Sequence, residues 1–77
     1  MLTVRFFGKL RLDFGLAQMD VEAENVKELI SYIAKNSAIT SDVLKDCMVV
    51  VNGKAAKKST KLSDGDEIML LSPASGG

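Results

Sequence analysis

The chain has 77 residues, a length that suits one domain with a small hydrophobic core. Its 10 basic and 10 acidic side chains cancel, which argues against a nucleic-acid partner or a membrane held by bulk electrostatics. With no histidine and one cysteine, the sequence excludes Ser-His and Cys-His catalysis and a cysteine zinc cluster, so we expect no bound metal and no autonomous catalysis. The lone cysteine, the lack of room for a signal peptide before Leu2 and the lack of a membrane-length apolar run predict a cytoplasmic protein.

The first part of the chain predicts a β-hairpin. Residues Leu2–Phe7 alternate as a strand that places Leu2, Val4 and Phe6 on one face and Thr3, Arg5 and Phe7 on the other. Gly8 ends this strand, and we interpret Lys9–Phe14 as a loop. A second alternating run, Leu16–Val21, is predicted as the returning strand of the hairpin.

The clearest helix follows. Asn25, with Glu28 three residues later, makes a capping-box signature at its start. Apolar residues then recur with the spacing of a half-buried helix, at Val26, Leu29, Ile30 and Ile33. Asn36 and Ser37 are predicted to end the helix, whose apolar stripe should cover one face of a sheet.

The second half of the chain predicts three more strands and the turns between them. Residues 39–46 form a connection with a short helical turn around Asp42–Lys45. An interior strand at Cys47–Val51 is followed by a hairpin turn at Asn52-Gly53 and a short return strand at Lys54–Ala56. A polar connection, Lys57–Ser63, is anchored by Leu62. A tight turn at Asp64–Asp66 then leads into the last strand, Glu67–Leu71.

This order of elements predicts an α+β fold of the β-grasp, or ubiquitin-like, type. A hairpin, a helix and further strands would give a mixed sheet of four or five strands with one main helix on one face. The first and last strands should be neighbours in the middle of that sheet. We therefore predict a β-grasp domain over residues 1–72 and a flexible C-terminal tail over residues 73–77.

The tail is the best candidate for a reactive segment. Pro73 lacks an N–H and should release the chain from the last strand. Gly76 and Gly77 lack a Cβ, so they could enter a narrow channel, and the small residues Ala74 and Ser75 would thread with them. These features favour the terminal carboxylate of Gly77 as the active group, against the alternative of a frayed chain end.

Several segments together resemble the small subunit of molybdopterin synthase and, more broadly, the ubiquitin-like sulfur carriers, which include the thiamine-pathway carrier. The resemblance covers nearly the whole chain. It rests on four segments in order: Val4–Arg11, Val51–Lys54, Leu62–Ile68 and Ser72–Gly77.

The resemblance implies a mechanism in which other proteins supply the catalysis. A ubiquitin-activating-type adenylyltransferase would use ATP to adenylate the Gly77 carboxylate. Sulfur from a persulfide on a sulfur donor protein would then displace AMP and leave a thiocarboxylate. The tail would insert into the active site of a synthase large subunit, which in the molybdopterin case transfers the sulfur to a pterin precursor. The carrier itself would bind no cofactor.

Three alternatives stay open at this point. The chain could carry sulfur for thiamine synthesis or another pathway. It could be a ubiquitin-like modifier that forms isopeptide bonds through Gly77. It could also be a plain β-grasp interaction module whose tail has no role.

Other residues receive structural or interface interpretations. If Val4, Phe6, Ile68 and Leu70 face the helix, then Phe7, Met69 and Leu71 lie together on the helix-free face, where exposed apolar groups usually mark an interface. Cys47 is interpreted as a small buried hydrophobe rather than a persulfide site. The lysine cluster between Lys54 and Lys61 is interpreted as a solvated loop rather than a contact with an acidic partner.

Overall fold

The structure is a computed structural model, and it describes residues 1–72. The predicted flexible tail over residues 73–77 therefore lies outside the described residues, as do the predicted site residues Pro73, Ala74, Ser75, Gly76 and Gly77.

The described residues form one mixed sheet with three helices. In chain order, the elements are β1 (Leu2–Phe7), α1 (Lys9–Phe14), β2 (Gln18–Val21), α2 (Val26–Asn36), α3 (Ser41–Leu44), β3 (Met48–Val51), β4 (Lys54–Ala55) and β5 (Glu67–Leu71). The five-stranded sheet has the order β2-β1-β5-β3-β4. β1 and β5 run parallel, and the other pairs are antiparallel. The predicted β-grasp arrangement, with the first and last strands adjacent in the middle, is confirmed.

The core lies between the sheet and α2. The alternation in β1 buries Leu2, Val4 and Phe6, as predicted, and leaves Thr3, Arg5 and Phe7 on the other face. β5 buries Ile68 and Leu70, which the parallel register places beside Val4 and Phe6. From α2, the core receives Val26, Leu29 and Ile33, while Ile30 is only partly buried.

The start of α2 follows the capping-box prediction with one difference. The side chain of Asn25 accepts a hydrogen bond from the backbone N–H of Glu28 at 2.8 Å. The Glu28 carboxylate accepts from the N–H of Glu24 at 2.9 Å, one residue before the position expected for a capping box. Both bonds satisfy backbone donors near the helix start, so the helix begins where the sequence predicts.

The interpretation of Lys9–Phe14 as a loop is wrong, because this segment is the helix α1. Leu10 is fully buried, and Phe14, one turn later, packs against the core. Gly15 ends the helix in the left-handed conformation at φ 67° and donates its N–H to the carbonyl of Arg11 at 3.1 Å. Burial of Leu10 stabilises a helix that would be too short to form alone. The strand after it begins at Gln18, two residues later than predicted.

The hairpin turn at Asn52-Gly53 and the turn at residues 63–66 are joined at the end of the sheet where β5 begins. Asn52 and Gly53 both have positive φ, 51° and 83°, as expected for the predicted hairpin turn. The Asp66 carboxylate accepts hydrogen bonds from the N–H of Ser63 at 2.8 Å and from the side-chain amide of Asn52 at 3.0 Å. Asn52 in turn accepts from the N–H of Glu67 at 2.9 Å. Asp66 therefore holds both turns against the start of β5.

We predict that protonation of the Asp66 carboxylate makes the domain less stable in acid. The hydrogen bond from the Ser63 N–H, and next the one from Asn52, lower the pKa of Asp66. A lowered folded-state pKa means that the stabilisation is present above the unfolded value of about 3.9 and is lost as pH falls through the folded value. Asp66→Asn should lower the melting temperature at pH 7, and its difference from wild type should shrink as pH falls below about 4.

Thermal melts of both proteins across pH measure this difference. Asp13→Asn, a change at an exposed carboxylate on α1, is the matched control and should melt like wild type at each pH. An Asp66→Asn deficit that stays constant between neutral and acid pH would contradict the prediction.

Candidate functional site at the tail end of the sheet

The tail is attached at one end of the central strand. The parallel strands β1 and β5 end together, with Phe7 opposite Leu71. On the other side of β5, the antiparallel strand β3 begins there, with Met48 opposite Leu71. Ser72 follows directly, so residues 73–77 continue from this end of the sheet. We call it the tail end.

An apolar row crosses the helix-free face of the sheet at the tail end. It consists of Phe7, Leu71 and Met48, side by side on three neighbouring strands. Phe7 is 36% exposed and Met48 is 57% exposed, while Leu71 is half-buried between them. Exposed apolar side chains that cluster in this way mark interaction surfaces.

The paired strand positions of this face become less apolar with distance from the tail end. The next row outward on the same face is Arg5, Met69 and Val50. The row after it contains Thr3 and Glu67. Among the paired strand positions of this face, the most exposed apolar side chains are therefore those at the tail end, whereas Met1, 65% exposed, lies before β1 at the opposite end.

The structure brings together the three residues predicted as a partner interface. Phe7 and Leu71 are direct neighbours, and Met69 lies on the same face one row away. Their role in binding a partner stays a prediction. Sequence reasoning missed Met48 and Val50, because an unbroken apolar run does not show which of its side chains the helix covers. Alternation groups Met48 with Val50 on one face, and the burial of Val49 in the structure shows that this face is the helix-free one.

A contact fixes Ser72, the last described residue before the tail. The Ser72 hydroxyl oxygen accepts a hydrogen bond from the backbone N–H of Lys9 at 2.8 Å. Gly8, beside it, has φ 72°, and a Cβ at Gly8 would lie 2.5 Å from the Ser72 hydroxyl oxygen. The loop after β1 and the end of β5 are thus closely packed. No feature of the sequence predicts this contact, because its partners are 63 positions apart.

Cys47 has the properties of a packing residue. Its side chain is partly buried against the core, and the thiol donates to the carbonyl oxygen of Val43 at 3.3 Å. Burial, and to a lesser degree the charge of Asp46, raises the pKa of the Cys47 thiol. A raised pKa reduces the thiolate fraction that nucleophilic sulfur chemistry requires. These observations disfavour Cys47 as a persulfide site, although it is half-buried rather than fully buried as expected.

The lysine cluster lies away from the tail end. Lys54 pairs with Val51 near the end of β3, and Lys61 bridges to Asn25 at the start of α2. Lys57 and Lys58 are exposed in the connection between these positions, which agrees with the interpretation of a solvated loop. Lys54, paired with Val51, therefore lies at the end of β3 opposite the apolar row.

Two further observations concern residues 1–72 only. No group of three or more His, Cys, Asp or Glu side chains in this range is placed to hold a metal ion. No helix in the same range is long and apolar enough to cross a membrane.

The five-stranded mixed sheet with α2 on one face is a ubiquitin-like β-grasp fold. The model of the ThiS family matches residues 4–77, and the chain belongs to this family of ubiquitin-like sulfur carriers. No match to the chain was found among curated protein sequences.

Solved structures share the fold over nearly the whole chain. The chain is 30% identical to a chain of the complex of subunits 1 and 2 of the molybdopterin-converting factor from Helicobacter pylori, with a TM-score of 0.73 and 99% and 97% of the two chains covered. SAMP1 from Haloferax volcanii is 25% identical, with a TM-score of 0.80 and coverage of 99% and 98%. The BexX/CysO complex from Amycolatopsis orientalis is similar in fold alone, at 21% identity, a TM-score of 0.76 and full coverage of both chains.

Proposed function

We propose that this chain is the small subunit of a molybdopterin synthase and carries sulfur on its C-terminus. The observation that carries the proposal is the exposed apolar row of Phe7, Leu71 and Met48 beside the attachment of the tail. A carrier must present its tail to an enzyme while it docks through a rigid surface close by. The central position of β5 in the sheet supports that arrangement.

The chemistry would take place at the carboxylate of Gly77. In the first step, this carboxylate attacks the α-phosphate of ATP on an adenylyltransferase, and pyrophosphate leaves. A persulfide of a sulfur donor protein then attacks the acyl-adenylate, and AMP leaves. A second thiol reduces the resulting acyl disulfide and releases the thiocarboxylate. Synthase large subunits would then bind the tail and transfer the sulfur.

The composition of this chain supports a mechanism in which the partner proteins supply the catalytic groups. The sequence has no histidine, and the pKa of its one thiol is raised by burial. The complex of subunits 1 and 2 from Helicobacter pylori, to which this chain is 30% identical, supports a large subunit as one partner. With the Gly77 carboxylate leading, the small residues Gly76, Ser75 and Ala74 would enter the partner's channel ahead of Pro73.

The similarity to SAMP1 supports a second candidate, a ubiquitin-like modifier conjugated through Gly77. A carrier for thiamine synthesis or another pathway is the remaining alternative, since the ThiS family is shared by carriers of sulfur. The three candidates use the same fold and the same terminal glycine. They differ in what becomes attached to the carboxylate and in where it goes next.

Intact mass spectrometry of the protein isolated from its own cell tests the proposal. We expect a form whose mass corresponds to one oxygen replaced by sulfur. This form should disappear when a purified synthase large subunit and its pterin precursor are added. Heavier adducts linked through lysines would indicate a modifier instead. A thiocarboxylate that the synthase large subunit leaves unconsumed would indicate a carrier for another pathway. A mixture with neither product would contradict both roles.

A further inference from the structure

We propose that Gly8, the backbone N–H of Lys9 and the side chain of Ser72 form a positioning device that sets the direction in which the tail leaves the sheet. We call this set the tail-root contact. The inference rests on the proposed function, because it concerns how the tail is presented to its enzymes. Ser72 and Gly8 would be positioning residues and take no part in the chemistry.

Ser72 lies one residue beyond the last strand pairing. The ladder between β1 and β5 ends at Phe7 and Leu71, so backbone pairing fixes the chain only up to Leu71. The hydrogen bond from the Lys9 N–H to the Ser72 hydroxyl, at 2.8 Å, adds a side-chain restraint directly after that point. The ordered part of the central strand is thereby extended to the residue that precedes the tail.

The same bond caps α1 from a distant part of the chain. A helix start leaves its first N–H groups without intrahelical acceptors, and a side chain at the N-cap usually accepts from one of them. The N-cap residue of α1 is Gly8, which has no side chain and makes no such bond. Ser72 supplies an oxygen to the Lys9 N–H instead. The order of α1 and the order of the tail root are therefore coupled.

Glycine at position 8 meets two requirements at once. Its φ of 72° turns the chain from β1 into α1, and its carbonyl accepts from the N–H groups of Arg11 at 3.2 Å and Leu12 at 3.4 Å. Such a φ is unfavourable for residues with a Cβ. A Cβ there would also approach the Ser72 hydroxyl to 2.5 Å and displace it. A side chain at this position would disrupt both the turn and the contact.

The identity of residue 73 adds an independent restraint on the same residue. Because a proline follows it, Ser72 is confined to extended backbone conformations. The hydrogen bond fixes the Ser72 side chain while the proline restricts its backbone. With its root restrained in two ways, the tail would lose fewer conformations when it inserts into a partner's channel.

Three variants at position 72 test the inference. Ser72→Thr keeps the hydroxyl, whereas Ser72→Val has the same shape without it, and Ser72→Ala is a third variant should the valine protein fail to fold. The assay is formation of the thiocarboxylate by the adenylyltransferase with ATP and a sulfur donor. Loss of one hydrogen bond should raise KM about three- to tenfold in the valine and alanine variants, with kcat little changed. The threonine variant should restore the wild-type KM.

A structural readout accompanies the kinetics. Hydrogen exchange of the Lys9 amide should become faster in Ser72→Val than in Ser72→Thr, because the amide loses its acceptor. Ser31→Ala, at an exposed serine on α2, is the matched control and should leave both readouts unchanged. If wild type forms thiocarboxylate and all position-72 variants share its KM, the tail-root contact has no positioning role although the carrier function stands. If wild type forms none, the carrier function fails and the inference falls with it.

Discussion

Deletion of Gly77, or addition of residues after it, should abolish sulfur transfer and leave the melting temperature of the domain unchanged. The reactive group in the proposed mechanism is the terminal carboxylate, which both changes remove from its position. Among residues 1–72, which the structure describes, the last fully buried residue is Leu70, seven positions before Gly77. Substitutions or deletions that remove no core contact seldom change stability by more than about 0.5 kcal/mol. The loss of function should therefore be complete while the fold is intact.

The measurement is thiocarboxylate formation, followed by intact mass, beside a thermal melt of each protein. Gly77→Ala is the matched control, because it keeps the chain length and the carboxylate and adds only a Cβ. We expect this variant to be slowed rather than inactive, since a narrow channel would still receive the carboxylate with some steric cost. A protein that lacks Gly77 and still carries sulfur would contradict the terminal carboxylate as the reactive group.

The elements that the sequence predicts well are those specified by local rules. The start of α2 follows from Asn25 and Glu28, whose bonds lie within four residues of each other along the chain. The hairpin turn at Asn52-Gly53 follows from two residues that tolerate positive φ. The strand faces of β1 follow from alternation, because each side chain reverses direction at every residue.

The sequence fails to predict α1 because this helix depends on tertiary contacts. Six residues provide too few intrahelical hydrogen bonds to form a helix on their own. Burial of Leu10 and the bond from Lys9 to Ser72 stabilise it, and both need the rest of the fold. The spacing of Leu10 and Phe14 and the Gly15 that follows were the available signals.

The candidate site is likewise predictable from the sequence only where local rules specify it. The neighbourhood of Phe7 and Leu71 is predictable, because a β-grasp order of elements makes β1 and β5 adjacent and alternation then places both side chains on one face. The exposure of Met48 is not predictable, since β3 is a run of apolar residues and only the register against β5 shows which of them are exposed. The contact of Ser72 with Lys9 depends on how the two strand ends meet in three dimensions.

A charged residue in the apolar row should weaken binding to the synthase large subunit, or to the adenylyltransferase, by at least about tenfold, while the fold survives. The variants are Phe7→Asp, Leu71→Asp and Met48→Asp. Burial of one such side chain contributes roughly 1.5–3 kcal/mol, and each 1.4 kcal/mol corresponds to about tenfold in affinity. An introduced carboxylate adds the cost of removing a charge from water. The loss should therefore exceed that of the corresponding alanine variants.

Titration of each variant against the partner, beside a thermal melt, separates binding from folding. Leu12→Asp is the matched control: Leu12 is 83% exposed on α1, outside the apolar row, so the same change there should leave affinity as in wild type. Met48 is the most informative position in the row, because its 57% exposure makes unfolding of the variant the least expected. Wild-type affinity in all three variants would refute the row as a docking surface. A collapsed melt in Leu71→Asp alone would show that this half-buried side chain stabilises the sheet, and Phe7 and Met48 would then decide the question.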